Sequence, residues 1–207
     1  MNPAETVSLV TRSGIVGIVR TDSPDRAVEL ARQIWSAGVP AVEVALTTPR
    51  GLDAIAELAT GVPDGCVLGA GTVLDAASAR SAVQAGARLL VTPTLAEDVI
   101  STARTAGAAT VIGTATPTEM LRAQTLGADL VKIFPASQWS PATLADLLQA
   151  LPQLRCVPTG GVSPDTAADW IRAGAAAVGI GSALTKGVDP AAQVAALLAA
   201  VAAARTS

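Results

Sequence analysis

A barrel of eight strand and helix units, the (β/α)8 or TIM-type α/β barrel, is the fold this sequence predicts, and three observations predict it. A short phrase that ends one helix and opens the next strand recurs four times. Brief apolar runs alternate with longer stretches of helical pattern. Proline and acidic residues stand where the intervening helices begin. The phrase reads Ala37-Gly38-Val39-Pro40-Ala41-Val42-Glu43-Val44, then Ala85-Gly86-Ala87-Arg88-Leu89-Leu90-Val91, Leu126-Gly127-Ala128-Asp129-Leu130-Val131-Lys132 and Ala173-Gly174-Ala175-Ala176-Ala177-Val178. A glycine in the left-handed conformation stops a helix, so the strand begins a few residues later.

In chain order, strands are expected near residues 14–19, 41–46, 66–70, 89–92, 110–113, 130–134, 155–159 and 177–181. Between them, Ser23-Pro24-Asp25, Thr116-Pro117-Thr118-Glu119, Ser140-Pro141 and Ser163-Pro164-Asp165 open helices, because proline suits the first helical position and the preceding hydroxyl caps it. Ala191 to Ala204 is the closing helix. A doubly wound open sheet shares this local pattern; eight units favour the barrel. Trp35 and Trp170 fall in helical patterns and read as helix-to-barrel packing, while Trp139 stands in a loop, suited to the core, a subunit contact or the substrate.

The 207 residues carry no linker, charge block or low-complexity tract, so one domain, 1–207, is expected. A net charge of −3 argues against a general nucleic-acid or membrane-surface binder, and any anion must be held locally. Met1 to Thr11 lacks the layout of a secretory signal, and the Ala191–Ala204 run is too short to span a bilayer, so a cytoplasmic protein is expected. Cys66 and Cys156, outside any metal-binding spacing, read as free thiols. The chain has no histidine, which removes the usual general base and metal ligand together. No metal site is expected.

Lys132 stands out against that background. It is one of two lysines, and it interrupts the apolar run Ala128-Asp129-Leu130-Val131-Lys132-Ile133-Phe134-Pro135. Burial lowers a lysine pKa, and the neutral amine is the form that attacks a carbonyl. Strand alternation puts Val42, Val44 and Leu46 on the helix side and Glu43 on the interior, and likewise Val131 and Ile133 outward and Lys132 inward with Leu130 and Phe134. Two opposite charges inside a barrel can be a structural pair or an active site. Gly69-Ala70-Gly71-Thr72 after the third strand, Thr159-Gly160-Gly161 after the seventh and Gly179-Ile180-Gly181-Ser182 after the eighth let backbone amides approach a ligand, and the last two point to a phosphate. No Walker-type lysine or dinucleotide fingerprint is present.

Gly14-Ile15-Val16-Gly17-Ile18-Val19-Arg20, Val42-Glu43-Val44-Ala45-Leu46-Thr47-Thr48-Pro49, Gly69-Ala70-Gly71-Thr72-Val73, Val91-Thr92-Pro93, Val131-Lys132-Ile133-Phe134-Pro135-Ala136 and Pro158-Thr159-Gly160-Gly161-Val162 together resemble the KDPG/KHG aldolase family, in order and spacing across nearly the whole chain. The resemblance implies a class I aldolase, usually a homotrimer, that cleaves a phosphorylated keto acid, a 2-keto-3-deoxy-6-phospho sugar acid, to pyruvate and glyceraldehyde 3-phosphate. It places the Schiff-base lysine on Lys132, with no cofactor beyond that covalent imine, and the proton-shuttling glutamate on Glu43. Substrate contacts fall on Arg20, Thr72, Thr159, Gly160, Gly161, Gly181 and Ser182, and Pro93 and Phe134 line the pocket. Thr47 departs from the gluconate-type members, which carry an arginine there. The galactonate-type members also lack it, and the resemblance leans to that branch; Leu184-Thr185-Lys186-Gly187 fits it loosely. A phosphate-binding isomerase or synthase without imine chemistry, and a catalytically idle scaffold, are the competing readings.

Overall fold

The four repeated phrases fold into the same helix-stopping turn. Gly38, Gly86, Gly127 and Gly174 have φ of 97°, 111°, 97° and 98°, and each closes two backbone bonds onto the turn before it, such as Gly38 N–H to Trp35 O at 2.9 Å and Val39 N–H to Ile34 O at 3.2 Å. Those paired bonds satisfy carbonyls that a helix end otherwise leaves open. In this computed structural model, residues 1–184 and 190–205 are described, the side chains of 182, 190 and 191 excepted.

Eight parallel strands follow: β1 (Ile15–Val19), β2 (Ala41–Ala45), β3 (Val67–Gly71), β4 (Leu89–Val91), β5 (Ala109–Thr114), β6 (Leu130–Ile133), β7 (Cys156–Pro158) and β8 (Val178–Ile180). Their order is β7-β6-β5-β4-β3-β2-β1-β8, and a parallel bridge from Thr159 to Gly179 brings the two ends together. This is the (β/α)8 barrel. Helices α2 (Pro24–Ser36), α3 (Gly51–Ala59), α4 (Ala76–Gln84), α5 (Glu97–Ala106), α6 (Pro117–Thr125), α7 (Pro141–Ala150), α8 (Pro164–Arg172) and α9 (Pro190–Ala204) follow the successive strands. Ser23, Thr116, Ser140 and Ser163 are the N-caps of α2, α6, α7 and α8, each with proline in the first turn. Among the described residues, no helix is long and apolar enough to cross a membrane.

The apolar residues form two clusters separated by the sheet. The outer one packs helices on strands and holds Val42, Val44, Val131 and Ile133, with Trp35 and Trp170 from the helices. Trp139 is partly buried against this outer core. The inner cluster fills the barrel with Val16, Ala41, Val67, Leu89, Val111 and Leu130, among others. Strand alternation therefore sorts side chains as the sequence pattern requires. Cys156 is buried and Cys66 half-buried, and both are free.

One helix was not expected from the sequence. α1 (Pro3–Ser13) precedes β1 and sends Val7 and Val10 into the inner cluster, closing the N-terminal end of the barrel. Asn2 and Glu5 form a capping box at its start, and Gly14, with φ 76°, ends it, so the first strand starts one residue later than its pattern suggests. Gly69 and Gly179 fall within β3 and β8, inside the strand ranges expected, and β3 runs one residue further than expected to take in Gly71.

Because Val10 is fully buried at that plug, Val10→Ala removes two methyl groups and leaves a void. We expect a loss of about 2–3 kcal/mol in a denaturant titration, with a cooperative transition retained because the outer cluster is untouched.

Candidate active site

Glu43 and Lys132 stand on β2 and β6, which are four strands apart in either direction around the closed sheet, so they face each other across the interior. Their exposures are 2% and 6%. Below them a void of about 10 Å³ is lined by Val16, Ile18, Val91, Val111 and Val157 with Thr159 and Gly179; above them opens a cavity of about 700 Å³. Both groups line both spaces, so they form the floor of the mouth. That is the C-terminal end of the strands, where barrels of this type carry their chemistry.

Neither Glu43 nor Lys132 has a close polar partner among the described residues. Among the described residues, no ion pair involves either side chain, and Oε2 of Glu43 is buried without a hydrogen bond. The amine of Lys132 lies 4.8 Å from the centroid of the Phe134 ring. Burial raises the Glu43 carboxyl above its ordinary 4.5, opposed by the positive charges of Lys132 and then Arg20. Burial lowers the Lys132 amine below its ordinary 10.5; Glu43 opposes this and Arg20 reinforces it. Both shifts favour the uncharged forms, a neutral amine beside a protonatable carboxyl.

Local backbone explains how a glutamate fits there. A Cβ added to Gly71 would come within 2.6 Å of Glu43 Oε1 and 2.9 Å of its Cδ, and a Cβ on Gly69 within 3.3 Å of Glu43 Cβ. The bare backbone of β3 is the bed on which the carboxylate lies. Beside Lys132 in register stands Gly113, whose Cβ would sit 2.2 Å from the Pro93 carbonyl carbon. The segment after β4 therefore crosses over β5 and holds Pro93 at the mouth, secured by Thr92, whose hydroxyl accepts from Gly113 N–H and donates to Thr94 O.

The cavity brings together all the sequence candidates whose side chains are described: Arg20, Glu43, Thr72, Pro93, Lys132, Phe134 and Thr159, with Gly160, Gly161 and Gly181. Arg20 Nη2 donates to Thr72 Oγ1 at 3.3 Å, and Thr72 holds φ 58°, a strained conformation for a β-branched residue. Gly160 and Gly161, at φ 81° and 94°, wrap the segment after β6, with Phe134 and Ser137 where side chains would otherwise stand. The N–H groups of Gly161 and Val162 meet no acceptor among the described residues, which leaves donors for an anion. The Ser182 side chain, and residues 185–187 of the phrase from Leu184 to Gly187, lie outside the described residues. Thr47 is exposed and does not line the cavity. Sequence reasoning missed Thr21, Asp22, Arg26 and Leu30, which form one lip. Their pattern reads as an ordinary helix start, and only the angle of α2 to β1 turns them to the mouth.

The fold and site define an enzyme barrel with a buried amine and a buried carboxyl on the floor of a cavity at the strand C-termini. The family model for KDPG and KHG aldolase matches residues 7–195. A 2-dehydro-3-deoxy-6-phosphogalactonate aldolase from Escherichia coli (strain K12) is 35% identical over 175 residues, covering 84% of this chain and 85% of that protein. A KHG/KDPG aldolase from the same organism is 30% identical over 165 residues, covering 79% and 77%. A solved structure described as native KDPGal superposes with a TM-score of 0.85 at 33% identity, covering 93% of this chain and 96% of that one. This chain belongs to the KDPG and KHG aldolase family.

Two predictions follow from the geometry. If the neutral Lys132 amine is the nucleophile, trapping of pyruvate by borohydride should speed up with pH, with a midpoint below 10.5. Glu43→Gln should move that midpoint further down and Arg20→Gln should move it up; one common direction for both would show that these charges do not tune the amine. Gly71→Ala should displace the flexible Glu43 carboxylate rather than backbone, so turnover should drop by about tenfold or more while the melting temperature changes little. Unchanged turnover would show that the placement of Glu43 is not critical.

Proposed function

We propose that this chain is a class I aldolase that cleaves a 2-keto-3-deoxy-6-phospho sugar acid to pyruvate and glyceraldehyde 3-phosphate, with the phosphogalactonate epimer as its substrate. The observation that carries the reading is the buried Lys132 amine, unpaired and depressed in pKa, facing the unpartnered Glu43 carboxyl on the floor of an open cavity. An isomerase or synthase using this lysine as a plain charge would have no use for a site that disfavours the charge. The galactonate choice is supported by the relatives, 35% identity to the phosphogalactonate aldolase against 30% to the KHG/KDPG enzyme.

In the mechanism, neutral Lys132 adds to the C2 ketone, and loss of water leaves a protonated imine that draws electrons from C3. The C3–C4 bond breaks, its electron pair passing into the enamine, while the C4 hydroxyl gives up its proton and becomes the aldehyde. Protonation at C3 and hydrolysis of the imine release pyruvate. Glu43 moves the protons at carbinolamine formation, cleavage and enamine protonation, a task suited to a carboxyl with a raised pKa. Thr72, held by Arg20, orients the substrate carboxylate, and the Gly160–Gly161 and Gly181–Ser182 segments take the phosphate. No metal or organic cofactor takes part. A homotrimeric, cytoplasmic enzyme completes the proposal.

Mass spectrometry after treatment with pyruvate and borohydride should show a stable adduct on the peptide containing Lys132. An adduct on Lys186, the other lysine of the chain, or none, would overturn the reading. Glu43→Gln should remain folded and lose about two to four powers of ten in turnover, the usual range for a general acid or base. Loss of folding instead would make Glu43 a structural group.

A further inference from the structure

Resting on that reading, we propose that Arg26 is a cationic ligand for the distal phosphate of the substrate and sets the preference for phosphorylated over unphosphorylated sugar acids. Three described cations line the cavity: Lys132 on its floor, and Arg20 and Arg26 at its rim. The two rim arginines serve different sides. Arg20 reaches from the end of β1 across β2 to Thr72 at the end of β3. Arg26 lies in the first turn of α2, on the other side of the same connection. β1 pairs with β8 through Ile15–Val178, Val16–Gly179 and Gly17–Ile180, so the segment leading into α2 emerges beside Gly181 and the turn after β8. Arg26 and Leu30, one helical turn apart, present the same face of α2 to the cavity that Gly160, Gly161 and Gly181 line.

Charge on that lip also requires a cation. Asp22 lines the same cavity and, among the described residues, accepts from the Thr21 hydroxyl at 3.2 Å and enters no ion pair, so its carboxylate would repel an incoming phosphate. Arg26 is the described lining cation placed to offset it. Arg26 pairs with Glu29 at 2.5 Å, the two side chains 47% and 53% exposed, and Gln33 donates to the other Glu29 oxygen at 3.0 Å. An exposed pair one turn apart is a weak tether, whereas a guanidinium fork matches a phosphate with two parallel bonds. The Glu29 contact therefore parks Arg26 at the lip and yields to the phosphate.

The test compares kcat/KM for the 6-phospho sugar acid and for its unphosphorylated counterpart in wild type, Arg26→Gln and Arg26→Lys, together with inhibition by inorganic phosphate. Arg26→Gln should lower the phosphorylated-to-unphosphorylated ratio by about tenfold, the scale of one charge-assisted contact, and raise the phosphate inhibition constant by a similar factor. Arg26→Lys should recover part of both. An unchanged ratio and inhibition constant in Arg26→Gln, or equal losses on the two substrates, would overturn the proposal. If the wild type failed to cleave either substrate, the aldolase reading would fall, and calorimetric titration of wild type and Arg26→Gln with inorganic phosphate would still decide the role of Arg26: equal affinities would refute it.

Discussion

The constraint on which this structure depends is the removal of an amine and a carboxyl from water without letting them neutralise each other in a tight pair. A close pair would hold the lysine charged and silent as a nucleophile. Placing Glu43 and Lys132 on opposite strands leaves each within the other's field but outside ion-pair distance. The cost falls on the fold. Between the depressed pKa of Lys132 and 10.5 the unfolded chain binds more protons, so stability rises with pH there; above 4.5 the folded chain holds the Glu43 proton longer, so stability falls as pH rises through the raised pKa. Near neutrality both groups therefore draw on stability supplied elsewhere, by the two apolar clusters and the helix plug.

Glycines mediate between that floor and the segments above it, and they do so by close approach more than by turning. Gly71 makes room for the carboxylate, Gly113 for Pro93, and Gly179 for Thr159, whose hydroxyl would lie 2.4 Å from an added Cβ. Each sits on the interior side of a strand end, where the barrel must hold functional side chains and crossing loops in the same layer. Packing density leaves no slack there, so the positions of Glu43, Pro93 and Thr159 are tied to missing side chains on their neighbours.

Much of the architecture was legible because its signals are local. The glycine phrases encode a turn that six residues complete by themselves, and Ser-Pro or Thr-Pro starts cap helices whatever surrounds them. Lys132 and Glu43 were legible because a period of two assigns a side to each strand residue. The α1 plug was harder to read: Asn2, Pro3 and Glu5 mark a helix start, but what Val7 and Val10 cover is an opening that exists only once eight strands have closed. Gly69 and Gly71 look like loop residues to propensity, since strands disfavour glycine, and belong to β3 because of the glutamate they face. The lip of Asp22 and Arg26 depends on how α2 leaves β1, which no local pattern encodes.

Division of labour between the two ends of the barrel follows from these facts. At the N-terminal end the interior is sealed by α1 and is apolar apart from Thr6, whose buried hydroxyl has no partner among the described residues. At the C-terminal end Thr92 and Thr114 are buried but bonded, to Gly113 and Thr94 and to the Lys132 carbonyl, so their polarity is spent on fixing the strand ends. In the layer above the apolar fill, the Lys132 amine, Oε2 of Glu43 and the amides of Gly161 and Val162 have no hydrogen-bond partner among the described residues, and all four residues line the cavity. Burial without satisfaction is costly in a core; Oε2 of Glu43 bears that cost at the cavity floor, while the Thr6 hydroxyl and the Trp35 indole N–H bear it elsewhere in the fold.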